Sequence, residues 1–363
     1  LAPARRRTTD KSLNVRQQFD EQGGVESMTK PYTIAGIMAG WIALALALGV
    51  LSPMLTFAQP TRIARIGVLS AGPATPPAAP LSPLREALLR GLRELGWVEG
   101  QNIAFEYRYA AWQLERLPEL ATELVSAKVD VIVTGGYRPI LAAKGATRSM
   151  PIVVTSCDPV EMLVGSLARP GGNVTGSTCL SAELSPKKLQ FLKEAVPSAT
   201  RIAVLFNPDD PGPTLGMKLM EEAAPALKVR LQHVSVRTDE DVADALVTLS
   251  RERPHALLVY PDFVTGRNRP KILEFAAKHR LPTMYGFRAA VDAGGLMSYG
   301  SNLQEQFYRT AFFIDKILKG ANPATMPIEQ PTRFELAVNL KTARAIGFTI
   351  PSSVLVQANV IVE

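Results

Sequence analysis

The side chains best suited to chemistry are few in this chain, and their spacing argues against catalysis. His233, His255 and His279 have no cysteine or carboxylate at metal-ligand spacing, so they read as packing or surface residues. Cys157 and Cys179 are too few for a disulfide scaffold or a cysteine-rich metal site. They can pair in an oxidising compartment or stay as thiols, and spacing leaves both open. Asp158 and the pair Asp209–Asp210 are the carboxylates placed to move protons. The pair stands in a proline-rich loop, where solvated turn residues are expected. Gly171-Gly172-Asn173-Val174-Thr175-Gly176-Ser177-Thr178 has the glycine spacing of a phosphate loop but lacks its lysine, and reads as a structural turn. G-x-S-x-G, H-E-x-x-H, C-x-x-C and G-x-G-x-x-G are absent. These residues point to binding rather than bond-making, with no cofactor and no metal expected.

The elements that would position a binding site alternate regularly. Ile63–Leu69 reads as a buried strand, and Leu84, Leu88, Leu92 and Leu95 then fall at helical spacing. Strands at 102–107, 129–133 and 151–155 and helices at 114–127 and 138–147 follow. A second series runs through helices 184–196, 213–227, 239–252 and 267–279 and strands 201–206, 229–236, 256–260 and 282–286. Such alternation specifies an α/β protein of two Rossmann-like lobes with mostly parallel sheets covered by helices on both faces. The turn-rich stretch Arg169–Gly176 is where the chain can leave the first lobe. A strand near 296–299, a helix at 303–319 and the stretch 333–346 remain after the second series, so the chain is expected to return. Several crossings make a hinge, and a cleft between hinged lobes can enclose a small ligand.

Ligands of open α/β sheets sit at the carboxyl ends of the strands. In the first lobe those loops offer Ser70, Gly72, Gly136, Tyr137, Arg138, Ser156 and Asp158; in the second, Asn207, Asp262, Phe263, Tyr285 and Phe287. Gly- and Ser-rich loops at helix starts expose N–H groups that suit a carboxylate. The aromatics suit an apolar or planar body, or else fill core space under the loops.

Residues 34–51 carry no charge, Lys30 precedes them, and Thr56-Phe57-Ala58 offers a cleavage point before Gln59. That order is the one of a secretory signal cleaved after Ala58, with an uncleaved anchor as the competing reading. Both place the body outside the cytoplasm. Met28 reads as a natural start, and residues 1–58 stand apart from the fold. They hold +2 of the net charge of +7, and the remainder shows no basic block of four residues. No nucleic-acid partner is expected.

The stretches 91–109, 129–133, 158–176, 277–300 and 315–351, the last reading DKILKGANPATMPIEQPTRFELAVNLKTARAIGFTIP, resemble the ABC transporter substrate-binding proteins of the tryptophan/tyrosine type. The similarity covers nearly all of 62–363. It implies a type I periplasmic binding fold, a periplasmic receptor without enzymatic activity, and permease and ATPase partners, with the membrane met only through the transporter. A monomer binding a small aromatic or amino-acid-like, carboxylate-bearing solute is expected. The division expected is 62–176 plus 299–324 for lobe one and 177–298 plus 325–363 for lobe two. One departure stands out: where many relatives have Gly-Thr-Pro, this chain has Gly136-Tyr137-Arg138. Tyr137 is placed to stack on a ligand and Arg138 to pair with a carboxylate, a contact expected to contribute about 1.5–3 kcal/mol. A periplasmic sensor signalling to a membrane receptor would share the cleft and the export signal and is the alternative. A sugar-type repressor would need a helix-turn-helix where this chain has an apolar leader.

Overall fold

The computed structural model describes residues 62–74 and 82–363. The apolar run 34–51 and the cleavage point after Ala58 lie outside the described residues. Among them, no helix is long and apolar enough to cross a membrane.

The strands are β1 (Ala64–Ser70), β2 (Ile103–Tyr109), β3 (Val131–Thr134), β4 (Ile152–Ser156), β5 (Val174–Thr178), β6 (Arg201–Phe206) and β7 (Arg230–Ser235). They continue as β8 (Ala256–Val259), β9 (Thr283–Tyr285), β10 (Met297–Ser301), β11 (Ile328–Glu329), β12 (Phe334–Asn339) and β13 (Val360–Val362). The helices are α1 (Pro83–Glu94), α2 (Leu117–Ser126), α3 (Tyr137–Ala146), α4 (Ser185–Ala195), α5 (Pro211–Ala223) and α6 (Asp239–Glu252). Then come α7 (Phe263–Arg267), α8 (Arg269–Lys278), α9 (Arg288–Asp292), α10 (Leu303–Leu318), α11 (Leu340–Ala345) and α12 (Ser352–Leu355).

Two sheets result. The first has the order β11-β5-β4-β3-β1-β2 and the second β13-β12-β10-β9-β8-β6-β7. Every described pairing is parallel except that of β10 with β12, which is antiparallel. The cause lies in the strand sequences. Val131–Thr134, Ile152–Ser156 and Ala256–Val259 are buried at every position, so both faces need a helical cover. On the first sheet, Leu120, Leu124 and Ile140 cover one face, while Leu88, Leu92, Phe313, Ile314 and Ile317 cover the other. On the second, Leu189, Leu192, Met217, Met220 and Val354 cover one face and Val242, Leu249, Val264 and Ile272 the other.

α10 shows why the chain returns. It begins directly after β10 of the second sheet, yet its Phe313, Ile314 and Ile317 join the core of the first. Burying each such side chain contributes roughly 1.5–3 kcal/mol, enough to fix the helix there.

Strand pairing assigns the boundary segments to the two sheets. Ser177 and Thr178 remain in β5, and β10 stays in the second sheet through Ser301 because Phe334 pairs with it. Ile328 and Glu329 pair with Gly176 and Ser177, so they belong to the first sheet and not the second. The three crossings therefore lie between Thr178 and Ser185, at Asn302, and between Glu329 and Phe334. The stretch Arg169–Gly176, expected as a turn, ends inside strand β5.

Candidate ligand site between the lobes

The loop from β3 into α3 forms the first wall. Thr134 Oγ1 donates to Leu69 O at 2.9 Å, anchoring the loop's start. Gly136 then takes φ +83°, a conformation that suits glycine. Phe263, from the loop after β8 in the second sheet, packs directly on it. A methyl group at Gly136 would lie 2.4 Å from Phe263 Cζ.

The first turn of α3 has unpaired N–H groups and the positive end of the helix dipole, as expected for an anion seat. The protein fills that seat itself. Tyr137 N donates to Asp158 Oδ2 at 2.8 Å. The other carboxylate oxygen faces the first turn of α5, in the second lobe: a methyl at Gly212 would stand 2.6 Å from Asp158 Oδ1. Asp158 is thus caught between helix starts contributed by both lobes. Its own N–H donates to Ser156 Oγ at 3.2 Å. The neighbouring Cys157 forms a disulfide with Cys179, which ties this loop to the beginning of the first crossing.

Two more carboxylates stand close by. Asp262 caps α7, its Oδ1 accepting from Thr265 N at 2.8 Å and its Oδ2 from Asn207 N at 3.1 Å. Asp210 precedes α5 but makes no side-chain cap bond. It is 8% exposed, and its carboxylate has no hydrogen bond or ion pair among the described residues. The expectation of a solvated pair therefore fails for Asp210, because the turn folds it inward; Asp209 stays exposed and pairs with Arg237. Burial pushes Asp158 up to about 6, Asp210's charge raises it further, and the Tyr137 N–H pulls it down. Burial pushes Asp262 up to about 7, with the Thr265 N–H opposing and Asp210 adding. Asp210 is raised as well, by burial first, against the lowering charge of Arg138.

An aromatic pair joins loops of the two sheets. Ala111 and Trp112 both take left-handed conformations, at φ 50° and 68°. Each such residue stores roughly 1–3 kcal/mol of strain, a frequent mark of binding sites. Ala111 N donates to Gly72 O at 3.0 Å and Trp112 N to Ala71 O at 2.7 Å, and these bonds hold the turn. The indole lies over Gly72, and its centroid is 6.1 Å from that of Phe263 at a tilt of 54°. Trp112 was not among the residues the sequence singled out. Its signal was a tryptophan just beyond the carboxyl end of β2, in a loop passed over.

The remaining expected residues divide. Ser70 Oγ accepts from Gly72 N, shaping the turn beneath Trp112. Tyr137 is half-buried against the first core. Asn207 is half-buried and turns its Oδ1 to Asp209 N. Phe287 sits at the start of α9, near Gly300. Ser156 is 0% exposed, and its Oγ accepts from Asp158 N. Tyr285 is 4% exposed inside the second lobe's core, its hydroxyl without a partner. Arg138 is exposed, borders a first-lobe groove of about 610 Å³ with Leu114, Leu141 and Ala142, and carries a charge that acts on Asp210.

Behind the second wall lies a buried Lys188. Its Nζ donates to Ser181 O at 2.8 Å and lies 5.4 Å from the Tyr260 ring centre. Burial pushes the amine down to about 7, and the one acid that opposes this is Glu183. The histidines lie apart from the site: His233 faces Glu221, His255 accepts from Thr200 N, and His279 packs on Phe275.

Comparison with known proteins gives this arrangement a family. A tyrosine-binding protein of Clostridioides difficile (strain R20291) is 25% identical over 269 residues, covering 73% of this chain and 77% of that protein. A conserved domain protein from Vibrio cholerae O1 biovar eltor superposes with a TM-score of 0.76 at 27% identity, covering 83% of this chain and 100% of that one. An ABC domain in complex with L-Trp from Streptococcus pneumoniae gives a TM-score of 0.74 at 23% identity, covering 82% and 99%. The two parallel sheets are those of the type I periplasmic binding fold. The family described as ABC transporter substrate binding protein matches residues 80–362, and the chain belongs to that family.

Proposed function

We propose that this protein is the extracytoplasmic receptor of an ABC importer and encloses a small aromatic or amino-acid-like solute between its lobes. It delivers that solute to permease and ATPase components as a monomer, after export directed by the leader that ends at Ala58. It is not an enzyme. Lobe one comprises the first sheet with α10, and lobe two the second sheet. The observation that carries this reading is the meeting of loops from the carboxyl ends of both sheets. Phe263 sits against Gly136 and Trp112, and Asp158 against the first turn of α5. The tyrosine named for one relative and the L-Trp bound by another support the solute class. A solute carboxylate would face Arg138 at the rim, where exposure limits the contact to about 1 kcal/mol or less, below the expectation from sequence.

Ligand closes the lobes by favouring the state in which these loops touch. Small-angle scattering of the protein with L-Trp, L-Tyr or tryptamine should show a smaller radius of gyration than without. An unchanged radius at saturating binding would overturn the cleft reading.

A further inference from the structure

We propose that the first crossing between the sheets is a hinge of one residue, Leu180, clasped from both sides, and that the Cys157–Cys179 disulfide is its redox-sensitive half. Reduction by a dithiol then loosens the hinge and weakens solute capture, a consequence that rests on the reading of the gap as a solute site.

The disulfide lies at the seam where the first sheet gives way to the crossing. β4 and β5 pair in register up to Ser156 and Thr178, and Cys157 and Cys179 are the next residue on each strand. Cys179 N also donates to Ser156 O at 2.9 Å, so the covalent link closes the ladder one step beyond its last pair. With the link intact the end of β5 is unable to peel away, and bending starts no earlier than Leu180. The same link steadies Asp158, next to Cys157 and against the first turn of α5.

A buried amine clasps the far side. Lys188 of α4 is 1% exposed, and its Nζ donates to Ser181 O at 2.8 Å and to Ser181 Oγ at 3.1 Å. Ser185 Oγ donates to Ser181 O as well, at 3.1 Å. Leu180 divides the two anchors. Its N–H donates to Thr178 Oγ1 of β5 at 3.4 Å, while its carbonyl accepts from Leu184 N at 3.1 Å, in the turn that leads into α4. It takes φ 55°, a left-handed conformation unusual for a bulky apolar residue and kept only where the surroundings impose it. Gln306 carries the movement onward. Its Nε2 donates to Thr178 O at 3.2 Å and to Ser301 Oγ at 3.0 Å, joining the first crossing to the second, at Asn302.

Cys157 is half-buried and Cys179 is 0% exposed, so a reductant reaches the pair through Cys157. A thiolate of the dithiol attacks Cys157 Sγ, the S–S bond breaks, and Cys179 leaves as a thiolate that takes up a proton. The second thiol of the reductant gives up its proton and attacks the mixed disulfide, which releases Cys157 as a thiol and leaves the reductant as a disulfide. Two electrons and two protons pass to the pair. Cys179 is then held to β4 by hydrogen bonding alone, and closure must order its backbone again, a cost of about tenfold in affinity.

Hydrogen exchange and calorimetry test this on the full chain, oxidised, treated with dithiothreitol, and as the Cys157→Ser/Cys179→Ser variant. Within minutes of labelling, reduction should speed exchange across residues 178–184 at least tenfold and leave β8 protected. L-Trp and L-Tyr should bind the reduced protein about tenfold more weakly, and the double variant should match it and ignore dithiothreitol. Lys188→Met should speed exchange across 181–184 with the disulfide intact, and no change there would overturn the two-sided clasp. Unaltered exchange across 178–184 in both the reduced protein and the double variant would overturn the hinge, whatever binds. Undiminished affinity after reduction would overturn its control of capture. If the oxidised protein binds neither amino acid, the cleft reading falls, and the exchange result alone decides the hinge.

Discussion

Gly136→Ala separates the two lobes energetically. Gly136 has φ +83° and ψ 150°, a region essentially confined to glycine, and an alanine there costs about 1–3 kcal/mol in backbone strain whether the lobes touch or not. The second cost belongs to the closed form alone. The new Cβ would stand 2.4 Å from Phe263 Cζ, whereas carbons pack at about 3.5–4.0 Å, so the ring must retreat by more than an ångström. Overpacking of this kind costs roughly 1–3 kcal/mol, which corresponds to a loss of about 5- to 150-fold in affinity for a ligand that closes the lobes. A double-mutant cycle isolates it. Gly136→Ala should weaken ligand binding strongly in the natural protein and far less in a Phe263→Ala background, while the drop in melting temperature from backbone strain persists in both. Calorimetry provides the affinities and thermal unfolding the stabilities. An equal affinity loss in the two backgrounds would refute the contact between Phe263 and Gly136 in the bound state.

Acidity gives a second test. Asp158 and Asp262 are pushed up to about 6 and 7 in the folded chain, against about 3.9 unfolded, so the folded state holds their protons more tightly. Their contribution to stability is fully present below about pH 4 and is lost as pH rises through 7. Lys188, pushed down to about 7, acts in the opposite sense and only above that pH. The melting temperature of the ligand-free protein should fall between pH 4.5 and 7.5, and Asp158→Asn should flatten the profile; a rise in the natural protein would contradict the burial. The Cys157–Cys179 disulfide, spanning 22 residues, constrains the unfolded chain by about 3 kcal/mol. Reductant should lower the melting temperature of the natural protein and leave the Cys157→Ala/Cys179→Ala variant unaffected; equal responses would show that the thiols do not pair.

Most of the fold could be read from local pattern. Apolar runs such as Ile202–Phe206 and Leu257–Val259 announce buried strands, and leucines at helical spacing announce α1. β5 was hidden because its sequence, Val-Thr-Gly-Ser-Thr, is small and polar beside a glycine-rich turn. Gly176 explains that composition: a methyl there would meet Val154 O at 2.0 Å, so close strand approach selects glycine over a β-former. The site was less legible. Which loops meet follows from strand ends, and the contact of Gly136 with Phe263 is at such ends. The burial of Asp210 and the capture of the α3 start by Asp158 depend on how two distant loops meet, and neither spacing nor composition encodes that. Trp112 was missed because the strand was expected to stop at 107, leaving its turn unread.

The order in which the chain visits the sheets has a consequence for synthesis. The helix that seals one face of the first sheet ends at Leu318, and that sheet's last edge is added at Ile328–Glu329, more than 250 residues after β1 opened it. A nascent chain therefore has the strand face of Ile66 and Val153 covered only in part, by Leu88 and Leu92 of α1, until nearly the whole polypeptide has emerged. Completion is a late, concerted event, and a chain truncated before residue 303 would leave both halves unfinished and prone to aggregate.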